Sequence, residues 1–234
     1  MNKDEFLEEL KKINVKLTKL QLEQLDKYYN LLLEWNNKIN LTRITEEKEV
    51  YLKHFYDSIT LIKAINLNQN LNICDIGTGA GFPGIVLKIV FSNLNITLVD
   101  ALNKRIEFLK LVINELKLKN IEAIHDRAEN FIRNNRNKYD LITCRAVSKL
   151  NIISELCIPG LKINGYFIPM KANIDDEIKN IEFLDKLNSK LERIISFKLP
   201  IENSIRNLVV IKKIKDTNIM YPRSYDKIIK KPLK

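Results

Sequence analysis

A chain of 234 residues, 45% of them hydrophobic, is long enough for one α/β domain with a small appendage and apolar enough to bury a real core. Lys and Arg outnumber Asp and Glu by 39 to 29, and the resulting net charge of +10 favours an acidic partner such as nucleic acid. Three cysteines (Cys74, Cys144, Cys157) without C-x-x-C spacing exclude a disulfide framework or a zinc site, no apolar run is long enough to span a bilayer, and the polar start Met1-Asn2-Lys3-Asp4-Glu5 is not a signal peptide. A reduced cytoplasmic protein is expected, with no metal and no membrane partner.

In chain order, residues 3–12 form a short amphipathic helix, and Thr18 is a candidate N-cap for the next. Leu25, Tyr28, Leu32, Trp35 and Ile39 then keep helical spacing. Thr45-Glu46-Glu47-Lys48 opens a further helical piece, and His54 to Ile65 gives another with Phe55, Ile59 and Ile62 on one stripe. Residues 1–68 are thus read as a helical segment. From Asn72 the pattern alternates. Strands are expected at 72–75, 96–100, 121–124, 139–144, 165–170, 194–199 and 208–214, and helices at 83–91, 102–118, 127–133, 150–161 and 174–187. Strands alternating with helices specify an α/β fold: a mostly parallel, Rossmann-like seven-stranded sheet with helices on both faces, here behind an N-terminal helical extension. The last two strands have no helix between them and can pair as a hairpin, with one of them antiparallel to the rest. The domain reading is 1–68 helical segment, 69–214 Rossmann-like domain and 215–234 basic tail.

The most informative stretch is Ile73-Cys74-Asp75-Ile76-Gly77-Thr78-Gly79-Ala80-Gly81-Phe82-Pro83-Gly84. It reads as a strand, a tight glycine turn and a helix start, the geometry that holds a nucleotide-like ligand. Asp75 narrows the choice. An acid at the strand tip would repel a dinucleotide's pyrophosphate and attract a cationic ligand. S-adenosylmethionine carries an ammonium and a sulfonium and no phosphate, so the D-x-G-x-G form favours it over NAD. Ligands in open α/β sheets bind beyond the carboxyl ends of the strands. The first strand supplies Asp75, Gly77 and Gly79 there. The second supplies Asp100, placed for ribose hydroxyls. The third leads into His125-Asp126-Arg127-Ala128-Glu129, beside an adenine. The fourth supplies Cys144 and Arg145, where donor and acceptor meet. Cys144 lacks the preceding proline of a cytosine-C5 nucleophile and reads as core. The N/D-P-P-Y/F motif of amino-methylating enzymes is absent.

These residues, with Trp35-Asn36, Asn40-Leu41-Thr42, His54, Asp57-Ser58, Lys104-Arg105, Arg145-Ala146 and Tyr221-Pro222-Arg223, carry a resemblance over nearly the whole chain. It resembles the bacterial small-subunit (16S) ribosomal RNA guanine-N7 methyltransferases, the glucose-inhibited division protein B family. The resemblance implies a class I S-adenosylmethionine-dependent methyltransferase fold and cofactor contacts at Gly77, Phe82, Ala128, Glu129 and Arg145. It also implies action on 16S rRNA or the 30S subunit. One departure is Met170-Lys171-Ala172, where a glycine commonly follows the lysine. Guanine N7 bears a lone pair and no proton, so no catalytic acid or base is assigned. RNA contacts are expected from Lys104, Arg105, Arg127, Lys149, Lys171 and Arg223, and a monomer is the default. Methylation of another acceptor, or a cofactor-binding role in ribosome assembly, stays open at this level.

Overall fold

The computed structural model describes residues 1–145 and 147–234; Ala146, half of the Arg145-Ala146 motif, lies outside the described residues. Two capped helices open the chain. Helix α1 (Lys3–Lys12) starts with a reciprocal capping box between Asn2 and Glu5, and α2 (Lys19–Ile39) with one between Thr18 and Gln21. Asn40 ends α2 in the left-handed conformation, at φ 49°. Helix α3 (Glu47–Val50) runs without a break through a π-helical turn (Tyr51–Tyr56), α4 (Asp57–Ile59) and a 3₁₀ turn (Thr60–Lys63). The sequence divided this run into two pieces. In fact the widened turn keeps it continuous and buries Tyr51, Phe55 and Ile59 together.

The remaining elements are β1 (Asn72–Ile76), α5 (Gly84–Val90), β2 (Asn95–Asp100), α6 (Asn103–Glu115), β3 (Ile121–His125), α7 (Ala128–Asn134), β4 (Tyr139–Arg145), α8 (Leu150–Cys157), β5 (Leu161–Lys171), β6 (Ser189–Lys198), β7 (Ile205–Lys213) and α9 (Tyr225–Lys230). They build one seven-stranded sheet in the order β3-β2-β1-β4-β5-β7-β6. Strands β1 to β5 pair in parallel, and β7 inserts antiparallel between β5 and β6. The order reverses between β1 and β4, the switch point beyond which ligands bind in open α/β sheets.

Alternation along the strands gives the sheet two apolar faces. Ile73, Leu98, Leu141 and Ile168 face α1, α2, α5 and α6, and the N-terminal helices share this cluster. Ile76, Val99, Ile142 and Phe167 face α7, α8 and the tail residues Tyr221, Ile228 and Leu233.

One expected helix does not form. Residues 174–187 contain only turns and a 3₁₀ helix (Glu182–Leu187). The Asn173 side chain takes the Asp175 N–H, and the Glu177 carboxylate is drawn away by Lys171 and the Leu150 N–H, so side chains hold the turn that a helix would need. The next strand accordingly starts at Ser189, and β5 starts at Leu161 rather than Gly165. Among the described residues no helix is long and apolar enough to cross a membrane.

Candidate active site

The glycine turn follows β1 with Gly77 at φ 67° and Gly79 at φ 62°, conformations that L side chains rarely adopt. Two consecutive N–H groups, of Gly77 and Thr78, donate to the Val99 carbonyl at 2.9 and 3.1 Å, which fastens the turn to β2. The Gly79 N–H donates to Asp100 Oδ2 at 2.9 Å.

Asp75 lies beneath this turn. It is fully buried, and its Oδ2 accepts from Thr78 Oγ1 at 2.7 Å and from the Gly84 N–H at 2.9 Å. A Cβ on residue 84 would sit 2.9 Å from that oxygen, so only glycine lets the helix start approach. Asp75 Oδ1 is buried with no partner among the described residues. Loss of water pushes the carboxyl up to about 6 against the pull of the Thr78 and Gly84 hydrogen bonds. The acid that the sequence places in the ligand's path is thus first an organiser of the loop, and it lines neither of the clefts described next.

Two clefts open at the carboxyl edge. Cleft A, about 340 Å³, lies beyond β1, β2 and β3 and is lined by Gly77, Asp100, Ala128 and Glu129, with Ile76 and Val99 as apolar wall. Cleft B, about 430 Å³, lies beyond β4 and β5, with Arg145, Cys144, Pro169 and Lys171 on its wall and Asp57 and Arg206 opposite. Val147 borders both and packs over Gly77. Gly79 and Phe82 shape the turn without lining either cleft.

Arg145 is built into cleft B. Its guanidinium donates to the Lys53 carbonyl at 2.6 Å, to Asp57 Oδ2 at 3.3 Å and to His54 Nδ1 at 2.9 Å, and lies 5.2 Å from the centroid of the Phe82 ring. Burial pulls its pKa down and Asp57 opposes this. Arginine only donates, so His54 Nδ1 accepts and Nε2–H donates to Thr42 Oγ1 at 3.0 Å. Burial, then the Arg145 charge, lower His54 to about 3, and the neutral ring stacks on Phe82 at 4.3 Å. Asp57 also holds Arg206 at 3.2 Å. Burial pushes the Cys144 thiol up, so it stays protonated and is no nucleophile.

The expected RNA contacts divide into two groups. Lys104 and Lys149 are exposed. Arg105 pairs with Asp100 at 3.2 Å and Arg127 with Glu129 at 2.7 Å, each keeping part of its surface in water. Lys171 is enclosed by Glu177 at 2.7 Å and the Ser148 carbonyl at 2.8 Å. Arg223 is clamped by Glu155, a fully buried carboxylate, through Nε at 2.8 Å and a terminal nitrogen at 2.6 Å. Arg223 is thus tied to a fully buried carboxylate and Lys171 to a partly exposed one. Asp57, Arg206 and Tyr225 are site residues that the sequence reading did not single out for a role. Asp57 and Arg206 stand 149 positions apart, and no local spacing signals their meeting.

A parallel sheet, a glycine turn at its switch point and an acid at the tip of β2 define a class I S-adenosylmethionine-dependent methyltransferase. Solved structures agree on the fold. A SAM-dependent methyltransferase from Aquifex aeolicus aligns with TM-score 0.55 at 17% identity, covering 75% of this chain and 97% of that one. TYW2 from M. jannaschii, solved in complex with AdoMet, aligns with TM-score 0.53 at 17% identity, over 68% and 77%. The profile of one family, GidB, rRNA small subunit methyltransferase G, matches residues 21–209. Ribosomal RNA small subunit methyltransferase G of Bacillus subtilis strain 168 is 51% identical over 227 residues, covering 95% of each chain, and that of Staphylococcus carnosus strain TM300 is 45% identical over 233 residues, covering 97% of each. The chain belongs to the rRNA small subunit methyltransferase G family.

Proposed function

We propose that this protein transfers a methyl group to N7 of a guanine in small-subunit (16S) ribosomal RNA, working in the cytoplasm as a monomer on the 30S subunit or its precursor. Family membership supports the ribosomal RNA substrate. The observation that carries the N7 assignment is the chemistry of cleft B. Among its described lining residues none is a base poised near neutrality: His54 is held at about 3, the Cys144 thiol is pushed up, and Lys171 and Asp57 are tied in ion pairs. A site of that kind suits an acceptor that needs no deprotonation.

The residues of cleft A fit the cofactor. Asp100 offers a carboxylate at the ribose position, Ile76, Val99 and Ala128 offer an apolar wall, and Gly77 leaves room for the Val147 side chain to close over the turn. S-adenosylmethionine, when bound, supplies an electrophilic methyl on a sulfonium, and guanine N7 offers a lone pair without a proton. The protein's task is then to hold the base in line and exclude water, and positioning alone is worth up to about 7–11 kcal/mol. Arg145 serves by fixing the Phe82 turn against His54, which ties the glycine loop to the wall of cleft B.

The test is nucleoside analysis of 16S rRNA from cells lacking the gene, with purified enzyme added back to 30S subunits. Loss and restoration of one 7-methylguanosine is the expected result. A lost modification at another atom, or cofactor binding without turnover, would overturn the N7 assignment. The rate should also be level from about pH 7 to pH 9, and a bell-shaped profile would mark a proton-transfer step.

A further inference from the structure

The tail is a built element, although it lies beyond the residues that the family profile matches. Tyr221, Ile228 and Leu233 are buried in the second core face. Besides the Glu155–Arg223 clamp, Arg133 donates to the Pro222 carbonyl at 2.9 Å, Arg136 donates to the carbonyls of Thr217 and Tyr221, and Asn151 donates to the Leu233 carbonyl at 2.9 Å. All four anchoring side chains come from α7, the turn after it, or α8. This strapping sets Tyr225, the first residue of α9, at the rim of cleft A beside Ala101, Asp126 and Ala128. The Arg127 guanidinium lies 4.9 Å from the Tyr225 ring centroid while its Nε holds Glu129 at 2.7 Å. Tyr225, Arg127 and Glu129 therefore form one connected rim of cleft A, with Tyr225 37% exposed.

We propose that Tyr225 is a cofactor-positioning residue: the tail supplies the outer wall of cleft A, and the tyrosine ring covers the adenine end of S-adenosylmethionine. The inference rests on the cofactor assignment above. A ring held by a guanidinium on one side has little freedom to lose, so its contact with a planar base is retained as binding energy. A base–aromatic contact is worth about 1–3 kcal/mol, and about 1.4 kcal/mol is tenfold in affinity. The phenol hydroxyl has no part in this, so phenylalanine should serve equally.

The experiment is calorimetric titration of the full-length protein with S-adenosylhomocysteine, comparing wild type, Y225A and Y225F. The expected result is about tenfold or greater weakening in Y225A and binding within about twofold of wild type in Y225F, with the unliganded melting temperature little changed because the ring is partly exposed. On 30S subunits Y225A should raise KM for the cofactor with kcat retained. Unchanged cofactor affinity in Y225A would overturn the proposal, and so would a defect confined to KM for the subunit, which would make the ring an RNA contact. Failure of the wild type itself to bind S-adenosylhomocysteine would overturn the cofactor assignment instead, so the two failures are separable.

Discussion

Asp75 is fully buried, and this has a measurable sign. Its carboxyl is raised to about 6, whereas an unfolded aspartate titrates near 3.9. The folded state therefore binds this proton more tightly than the unfolded chain does. The favourable contribution is complete below about pH 4 and is lost as pH rises through 6, a swing of about 3 kcal/mol. Asp75→Asn removes the titration. Urea unfolding should show the stability of D75N relative to wild type rising between about pH 4 and pH 7 and levelling above; a difference that is constant with pH would mean that the carboxyl is not raised. Sequence reading puts Asp75 at the tip of the first strand facing a cationic ligand; the structure keeps the strand-tip position, but Thr78 and Gly84 claim one of its oxygens and it lines neither cleft, which a strand-tip position does not signal. Gly77 follows β1 directly and Asp100 ends β2, so strand ends alone place them at the carboxyl edge; Ala128 and Glu129 lie in the first turn of α7, and their expected cofactor role comes from the family resemblance. The Arg145–Asp57–Arg206 chain was not legible, since its members meet only after β7 has been threaded between β5 and β6.

At the scale of elements, the tail is the least expected part. Sequence composition describes residues 215–234 as basic and says no more, yet the segment closes one face of the core through a carboxylate with no exposure at all. Removing the guanidinium leaves that charge uncompensated. Arg223→Ala should cost about 3–5 kcal/mol, which for a chain of this length lowers the melting temperature by about 6–20 °C. A scanning-calorimetry shift under about 2 °C would show that the clamp is not structural. The missing helix at 174–187 has the same origin. Apolar residues at helical spacing promised one, but Glu177 is more useful to the Lys171 ammonium and the Leu150 N–H than to a helix face. The hairpin of β6 and β7, by contrast, was readable from the absence of any helix between two strand-like runs.

For the molecule as a whole, strand–helix alternation was enough to name the fold, because parallel strands require crossovers and the crossovers must cover both faces. The net charge of +10 is spread unevenly in usefulness. Lys104 and Lys149 stand exposed at the carboxyl edge, whereas Lys171 and Arg223 are consumed inside. Binding to 30S subunits should weaken linearly in log–log salt titrations. Replacing Lys104 or Lys149 by alanine should reduce the slope by about 0.7–0.9 each, and an unchanged slope in both would remove them from the RNA-facing set.

The contact between α2 and α5 reaches into the protein's own synthesis. Gln21 donates to the carbonyls of Ile89 and Val90, both at 2.9 Å, and so finishes a helix that lies 68 and 69 positions downstream. On a translating ribosome the leading helices emerge with their oily stripe uncovered and wait for the sheet that will seat them. The apolar face of the first third of this chain therefore stays uncovered until α5 and the sheet have been made, which makes it the part of the nascent chain most open to misassembly.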